Sequence, residues 1–283
     1  MTIRHGKSVN VSIYVSLNLV WQSHPMTPSS VPVQNPQGQG QSHSYIIRAK
    51  KGLTKDLAGI ARETQTESGS SLDGARTTEV LLSGPYGQSI VNTDLIRTDD
   101  INLFCVAGGT GITFILPVLM SLAASDQLCC RKGLTEFVWV IRRKADMQWI
   151  STELDTLREA AGIFPSLRIR IFITREELSS DGTSSESTNA NPMDKGFSDK
   201  TVENSCCGQP SPNEDDQPFM IQHIKNSDTA HPNLAPILGN FVSRTVAGPT
   251  RVMASGPPGM ISDLRKAVAL SNDPGRVWTG DEM

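Results

Sequence analysis

The sequence predicts a chain in two parts, an all-β part followed by an α/β part that is built on a parallel sheet. Before about residue 98, short runs of β-branched residues are separated by polar connectors that contain proline and glycine. From residue 101 onward, apolar runs of strand length alternate with segments in which apolar residues recur with a helical period. Strands that alternate with helices imply right-handed crossovers and therefore a parallel sheet.

The composition limits the size and the partners of the protein. A chain of 283 residues can hold two domains, and a change in composition near Thr98–Asp100 predicts a boundary between residues 1–97 and 98–283. The net charge of −3 and the lack of a basic stripe in the sequence argue against nucleic acid as a partner. No apolar run reaches the ~20 residues that a spanning helix needs, so we expect no transmembrane helix in this chain.

The five cysteines indicate a reducing, cytosolic setting. Their spacing gives neither a disulfide framework nor the CxxC pattern of a zinc site, so we expect no bound metal. Cys105 lies inside an apolar run, and we predict that it is a small residue of the core.

Local patterns predict the elements of the first part. Partial alternation of β-branched residues is typical of strands. The predicted strands are Val9–Val20, Tyr45–Lys50 and Glu79–Leu82. Prolines among hydroxyl side chains predict a polar loop at Trp21–Ser30. Thr54 is predicted to be the N-cap of a helix that continues to about Glu63.

The second part has a regular alternation. The predicted strands are Ile101–Ala107, Glu136–Arg142, Leu167–Thr174 and Thr250–Ala254. The predicted helices are Phe114–Met120, Met147–Ala161, Leu234–Val242 and Ile261–Leu270. One tract, Glu176–Gln217, interrupts the alternation. It is rich in Ser, Asn, Asp, Gly and Pro and has almost no apolar residues, so we predict a disordered insertion.

A glycine-rich turn, Gly108–Thr113, joins the first of these strands to the helix that follows. Glycine lets the backbone approach a ligand closely, and the free N–H groups of a helix start favour an anion such as a diphosphate. No Gly-Lys-Ser/Thr follows, which argues against a P-loop nucleotide triphosphatase. A turn with a purely structural role is the alternative.

A second candidate site for a diphosphate combines cations with another helix start. Arg48 and Lys50 immediately precede the helix that is predicted to begin at Thr54. Because both cations also suit the solvated end of a strand, the residues alone do not separate these two interpretations.

Five motifs occur along the chain in an order that resembles one family. They are Trp-Gln-Ser-His-Pro-x-Thr at Trp21–Thr27, Arg-x-Lys-x-Gly-x-Thr at Arg48–Thr54, Ser-Gly-Pro-Tyr-Gly at Ser83–Gly87, Gly-Gly-Thr-Gly-Ile-Thr at Gly108–Thr113, and Ser-Gly-Pro-Pro-Gly-Met at Ser255–Met260. This series resembles the cytosolic half of the fungal ferric-chelate reductases, which are related to the NADPH oxidases within the ferredoxin-reductase-like superfamily. Apart from the insertion, the resemblance covers about Val9 to Glu282.

The resemblance implies a partial antiparallel FAD-binding β-barrel, followed by a parallel-sheet Rossmann-like domain that binds NADP. The motif that contacts the isoalloxazine and ribityl part of FAD is matched by His24, Pro25, Met26 and Thr27. The segment that holds the FAD diphosphate is matched by Arg48, Lys50, Gly52 and Thr54. Further cofactor-binding residues are expected at Ser83 and Gly84.

For NADPH, the resemblance implies three groups of contacts. The diphosphate would be cradled by Gly108, Gly109, Thr110, Gly111, Ile112 and Thr113. Arg142 and Arg143 occupy the place where a 2′-phosphate is read, and two arginines there favour NADP over NAD. The nicotinamide would lie beside Ser255, Gly256 and Pro257. The expected catalytic residues are Thr27 on the flavin side and Ser255 on the nicotinamide side.

The implied activity is that of an NADPH-dependent ferric-chelate reductase. A hydride would pass from NADPH to FAD, and electrons would continue to haem groups in a membrane part and then to ferric or cupric ions. The chain would then lie on the cytosolic face of a membrane, with a haem-bearing membrane domain or partner. Two alternatives remain, which are oxygen reduction as in the NADPH oxidases and a truncated, non-catalytic module that binds a nucleotide or a partner.

The sequence also departs from the family pattern. Met26 replaces the usual phenylalanine, which removes an aromatic surface near the flavin. Gly275–Glu282 resembles the segment that leads into the last strand of the family, so we expect a chain that is truncated at both ends. One requirement concerns geometry. For a nicotinamide to reach the flavin, the turns after Ala107 and Ala254 must lie at the same end of the sheet.

Overall fold

The fold is given by a computed structural model that describes residues 2–4, 11–15, 23–30, 33–34, 41–52, 54–59, 80–83, 100–125, 131–175, 217–224, 231–272 and 277–279. Apart from Gln217, the insertion that was predicted to be disordered lies outside the described residues. The same holds for the helix beyond residue 59 and for Gly84.

The first part consists of two small antiparallel sheets, which confirms the predicted all-β class. Its strands are β1 (Thr2–Arg4), β2 (Val11–Val15), β3 (Ser23–Met26), β4 (Val33–Gln34), β5 (Gln41–Ser44) and β6 (Val80–Ser83). One sheet has the order β1-β5-β4 and the other has the order β3-β2-β6. All neighbouring strands in the two sheets are antiparallel. Residues 54–59 form a short helix, α1.

Two predictions for this part are wrong. The polar loop predicted at Trp21–Ser30 contains strand β3, in which Pro25 pairs with Ser12. Since β3 lies at the edge of its sheet, a proline that cannot donate a ladder hydrogen bond is tolerated there. The strand predicted at Tyr45–Lys50 is displaced, because the strand is β5 and residues 45–50 have no regular structure. The polar strand β5 is stabilised by backbone pairing with β1 and β4, which its side chains do not reveal.

The second part is built on a six-stranded sheet in which every pair of neighbours is parallel. Its strands are β7 (Asn102–Gly108), β8 (Thr135–Ile141), β9 (Leu167–Ile173), β10 (Phe219–His223), β11 (Thr250–Ser255) and β12 (Val277–Thr279), in the order β10-β9-β8-β7-β11-β12. The parallel sheet and its four central strands confirm the prediction. The two edge strands, β10 and β12, were not predicted, because each is short and lies beside polar or glycine-containing sequence.

Helices cover both faces of this sheet. They are α2 (Ile112–Ala123), α3 (Ser151–Ile163), α4 (Leu234–Arg244) and α5 (Pro258–Ser271). Odd-numbered residues of the central strands, among them Cys105 and Phe137, form one apolar cluster with α2 and α3. Even-numbered residues, among them Phe104 and Val138, form a second cluster with α4 and α5. The sheet is therefore covered on both faces, and β7 and β8 are buried along their whole length.

All four helices of the second part were predicted, although their ends differ. The segment predicted as helix from Met147 begins earlier, as a 3₁₀ helix at Lys144–Ile150, and continues as α3. Ile150, Leu154 and Leu157 are buried on one face, as predicted. In the part of the chain that the structure describes, no helix has the length and apolar character to cross a membrane.

Cys105 is a core residue, as the sequence predicts. Its side chain is fully buried in the middle of β7. Burial disfavours the thiolate and raises the pKa of the thiol to about 12. At neutral pH the group is therefore an uncharged, unreactive thiol.

A buried carboxylate links the sheet to α4. Glu136, on β8, is fully buried, and its Oε1 lies 3.0 Å from Nε of Arg170 on β9. Its Oε2 pairs with the guanidinium of Arg244, in the last turn of α4. Burial raises the pKa of the Glu136 carboxyl, and both guanidinium groups oppose this rise. The contact fixes the C-terminal end of α4 against the sheet.

We predict that Glu136→Gln destabilises the fold by about 3–5 kcal/mol, because it removes the negative charge between two arginines that are largely out of water. Urea unfolding measures the loss. The control is Asp155→Asn, which removes an exposed ion pair with Arg158 and should change the free energy of unfolding by less than about 1 kcal/mol. Similar small losses in both variants would show that the buried cluster does not stabilise the fold.

Candidate functional site

Two of the predicted turns meet at one edge of the parallel sheet. Strands β7 and β11 are neighbours and run parallel, with Ala107 opposite Ser255. The turn that follows β7 and the turn that follows β11 therefore both lie at the carboxyl edge. This arrangement meets the geometric requirement derived from the sequence.

The two turns pack backbone against backbone, and three glycines make this possible. A Cβ atom on Gly256 would lie 2.5 Å from the Cε of Met260 and 3.0 Å from the Cα of Gly108. A Cβ atom on Gly108 would lie 2.5 Å from the Cδ of Pro257. A Cβ atom on Gly111 would overlap the backbone carbonyl of Ser255. The structural interpretation therefore accounts for Gly108, Gly111 and Gly256, whether or not a ligand binds.

Gly109 differs from these three glycines. It has a φ of +55°, which L side chains rarely adopt, and a Cβ atom here would meet no atom within 4 Å. Gly109 begins a 3₁₀ turn, Gly109–Gly111, that continues into α2, and this helix start has no side-chain cap and no acidic residue in its first turn. Its N-terminal N–H groups and the positive end of its dipole therefore suit an anion on the open side of Gly109.

Two cationic residues follow β8, the strand next to β7, at the same edge of the sheet. Arg142 and Arg143 follow β8, and both side chains are exposed. Their backbone N–H groups donate to Oδ2 of Asp146, at 3.2 and 3.3 Å. The Asp146 carboxylate is thus engaged with the backbone, and it fixes the loop that carries the two arginines.

Arg175 adds a third exposed cation, which the sequence analysis did not single out. Its N–H donates to the carbonyl oxygen of Arg142 at 3.0 Å, and the Thr174 hydroxyl donates to that of Ile141 at 3.1 Å. These bonds tie the end of β9 to the end of β8. The signal was present in the sequence, because residues that follow neighbouring parallel strands reach the same edge.

The flavin-side residues of the first motif lie at the end of β3. Pro25 is exposed, while Met26 and Thr27 are half-buried. Just beyond them, the N–H and hydroxyl of Ser29 both donate to the carbonyl oxygen of Ser44, at 2.8 and 2.9 Å. This clamp joins the segment after Thr27 to the end of β5. Side-chain contacts of His24 and Ser83 lie outside the described part of the chain.

The second motif forms a closed turn before α1. Arg48 and Lys50 are exposed, and Gly52 has a φ of +60° with no atom within 4 Å of a Cβ position. The Thr54 hydroxyl accepts the N–H of Lys50 at 3.2 Å and donates to the carbonyl of Lys51 at 3.3 Å. Thr54 therefore braces the turn that precedes the helix, in place of the N-cap bond that was predicted.

A short apolar segment of the first part packs against the second part. Tyr45 is buried, and burial raises the pKa of its hydroxyl to about 12. The adjacent Ile46 packs against the apolar cluster that contains α2 and α3. The chain that leads to Arg48 is thus held against the apolar cluster of the second part.

The described residues contain no group of three or more His, Cys, Asp or Glu side chains that could hold a metal ion. The chemical groups that the site offers are therefore backbone donors, cations and hydroxyls. Together they suit phosphate-containing ligands.

We predict that Gly256→Ala lowers the free energy of unfolding by about 1–3 kcal/mol, because the added methyl group would overlap the end of the Met260 side chain and press against the backbone of Gly108. Gly239→Ala is the matched control. Gly239 lies in α4 with open space around its Cβ position, so alanine there should be neutral or stabilising by up to about 1 kcal/mol. Equal stability of the two variants in urea would contradict the packing of the turns.

Two curated relatives match stretches of different length in this chain. A yeast protein from Saccharomyces cerevisiae, ferric reductase transmembrane component 6, is 22% identical over 250 residues, which are 88% of this chain and 28% of that protein. Ferric reduction oxidase 8, mitochondrial, of Arabidopsis thaliana is 36% identical over 109 residues, 37% of this chain and 14% of that protein. The chain thus spans less than a third of the length of these relatives.

Solved structures share the fold. The flavohemoglobin of Malassezia yamatoensis, solved with bound FAD and heme, superimposes with a TM-score of 0.52 at 14% identity, over 98% of this chain and 51% of that chain. A ferredoxin NADP+ reductase of Neisseria gonorrhoeae, solved with bound FAD and NADP, gives 0.50 at 12% identity, over 98% and 87%. At these identities the likeness confirms the α/β fold alone.

Family models match both parts of the chain. The model described as an FAD-binding domain matches residues 2–90. The model described as the ferric reductase NAD binding domain matches residues 101–269, more than half of the sequence. The chain is therefore an FAD- and NAD(P)-binding oxidoreductase module and belongs to the ferric reductase NAD-binding domain family.

Proposed function

We propose that this chain is the dehydrogenase module of an NADPH-dependent ferric-chelate reductase, which takes electrons from NADPH through FAD. The observation that carries the proposal is the meeting of two glycine turns at the carboxyl edge, beside the uncapped N-terminus of α2. Membership of the ferric reductase family supports the type of reaction, and the names of the yeast and plant relatives support the acceptor.

The NADPH site comprises three groups at that edge. Gly108–Thr113 hold the diphosphate, because the turn is open above Gly109 and the helix start offers N–H donors. Arg142 and Arg143 bind the 2′-phosphate, and Arg175 contributes a further positive charge beside them. The nicotinamide lies at Ser255, Gly256 and Pro257, next to the first turn.

The FAD site comprises the motifs of the first part. The isoalloxazine and ribityl groups contact His24, Pro25, Met26 and Thr27, at the end of β3. The diphosphate binds Arg48, Lys50, Gly52 and Thr54, where exposed cations flank an open glycine. Ser83, the last residue of β6, and Gly84, which follows it in sequence, complete the flavin contacts.

When bound, the two cofactors supply the redox chemistry, a hydride transfer from the nicotinamide to the flavin. The residues of the chain align the rings and limit the access of water and oxygen. Thr27 positions the flavin, and Ser255 positions the nicotinamide from the half-buried end of β11. The proposal needs no acid–base pair, since a hydride carries both electrons.

Beyond this chain, electrons continue to a haem-bearing membrane domain or partner and then to ferric or cupric ions. The chain would lie on the cytosolic side of that membrane. The yeast relative's name, which includes "transmembrane component", supports a membrane part. The identity of the final acceptor depends on that partner.

The proposal is tested with the purified chain, supplied with FAD, NADPH and ferricyanide. We expect yellow protein that oxidises NADPH and reduces ferricyanide. Gly109→Val should abolish NADPH binding and turnover while FAD stays bound, because valine is strained at a φ of +55° and fills the open side of the turn. Colourless protein without turnover, or equal loss of both nucleotides in the variant, would contradict the proposal.

We further predict that the double variant Arg142→Ala/Arg143→Ala raises KM for NADPH by at least about 100-fold and leaves KM for NADH within about twofold. Each charge-assisted hydrogen bond to the 2′-phosphate is worth about 1.5–3 kcal/mol, and NADH lacks that group. Steady-state kinetics with both nucleotides measures the change. Arg158→Ala, an exposed arginine on α3, is the control. An equal rise in KM for NADH would place the arginines elsewhere than at the 2′-phosphate.

A further inference from the structure

A buried tryptophan holds the underside of the glycine turn. Trp139 lies on β8, its side chain is fully buried, and its indole N–H donates to the carbonyl oxygen of Gly109 at 3.1 Å. The backbone N–H of Ile112 is directed to the same oxygen. Both lone pairs of this carbonyl oxygen are therefore engaged from within the protein.

Because the peptide bond is planar, the contact between Trp139 and the Gly109 carbonyl also fixes the direction of the N–H of Thr110. The carbonyl of Gly109 and the N–H of Thr110 belong to one trans peptide group, so they point in opposite directions. Because the carbonyl points at the buried indole, the N–H of Thr110 points away from the core. Above Gly109 the structure has open space.

The peptide group that follows Gly109 needs such a contact to keep its orientation. A peptide group next to a glycine can rotate more easily than others, since glycine adopts positive and negative φ almost equally well. A rotated group would present the Gly109 carbonyl oxygen to the open side, where it would repel an anion. It would also leave the buried indole N–H without its acceptor, which is unfavourable in the interior.

We infer that Trp139 is a positioning residue for the diphosphate of NADPH. Its indole N–H holds the peptide between Gly109 and Thr110 in the orientation that offers an N–H, and not a carbonyl oxygen, to the ligand. This inference rests on the proposed function, in which Gly108–Thr113 hold the diphosphate. Trp139 touches the turn and not the cofactor, so its effect is on binding.

Trp139→Phe in the full chain tests the inference, with calorimetric titration of NADP+ and of 2′-AMP. The second ligand has the adenine and the 2′-phosphate but lacks the diphosphate. We expect NADP+ to bind about five- to tenfold more weakly to the variant, the loss typical of one hydrogen bond, and 2′-AMP to change less than twofold. In turnover, KM for NADPH should rise while kcat at saturation stays the same.

Phe137→Leu is the matched control. Phe137 is also fully buried and lies two residues earlier on the same strand and face. It should cost stability without a selective loss of NADP+ affinity. This separates the missing N–H donor from a general weakening of the core.

Replacement of Trp139 by benzothienylalanine covers the case in which Trp139→Phe does not fold. That ring keeps the shape of the indole and lacks only the N–H. A selective loss of NADP+ affinity in either variant supports the inference. Unchanged NADP+ affinity, or equal losses for the two ligands, overturns it and leaves the proposed function intact. Wild-type protein that binds neither ligand would overturn the proposed function and the inference together.

Discussion

The parallel pairing of β7 with β8 and β11 determines where every candidate group of the nucleotide site lies. The pairing is fixed at the amino edge by Asn102, the first residue of β7, whose buried amide bonds to both neighbouring segments. Its Nδ2 donates to the carbonyl oxygen of Ala247 at 2.9 Å, and its Oδ1 accepts the N–H of Leu134 at 2.9 Å. With the register set there, the three strands end together at the opposite edge.

The buried ion pairs that stabilise the fold and the groups that we propose to bind the nucleotide therefore lie at different edges of one sheet. Glu136, near the start of β8, joins β9 and α4 through buried arginines, and the glycine turns and exposed arginines follow the strand ends. The same type of side chain therefore has two roles. Arg170 and Arg244 neutralise a buried carboxylate, whereas Arg142, Arg143 and Arg175 are exposed at the edge where we propose that NADPH binds.

The sequence predicts those parts of the fold in which a residue's own environment decides its structure. Strands β7, β8, β9 and β11 were predictable because each lies in a run of strand length that is rich in apolar residues, and in β9 isoleucine recurs at every second position. The strands β5, β10 and β12 were not predictable, because they are stabilised by backbone pairing and their side chains show no clear strand pattern. Pro25 was misleading for the same reason, since only the position of β3 at an edge makes a proline acceptable.

The candidate site was predictable to a similar extent. The motifs predicted the two glycine turns and the paired arginines, but they could not predict contacts between residues that are far apart in the sequence. The bond from Trp139 to Gly109 spans 30 residues of sequence, and that from Arg244 to Glu136 spans 108. Arg175 was missed because its proximity to Arg142 depends on the pairing of β8 with β9.

Among Gly108, Gly109, Gly111 and Gly256, Gly109 provides the strongest support for a bound nucleotide. Gly108, Gly111 and Gly256 are required wherever two such turns pack against each other, so their presence alone is compatible with a purely structural role. Gly109 has no neighbour that would exclude a side chain. Its positive φ directs the turn into an uncapped helix start, and a buried indole fixes its carbonyl on the inner side. A turn that served packing alone would have no need of the open space above Gly109, so the case for a bound diphosphate depends on that residue and the cations beside it.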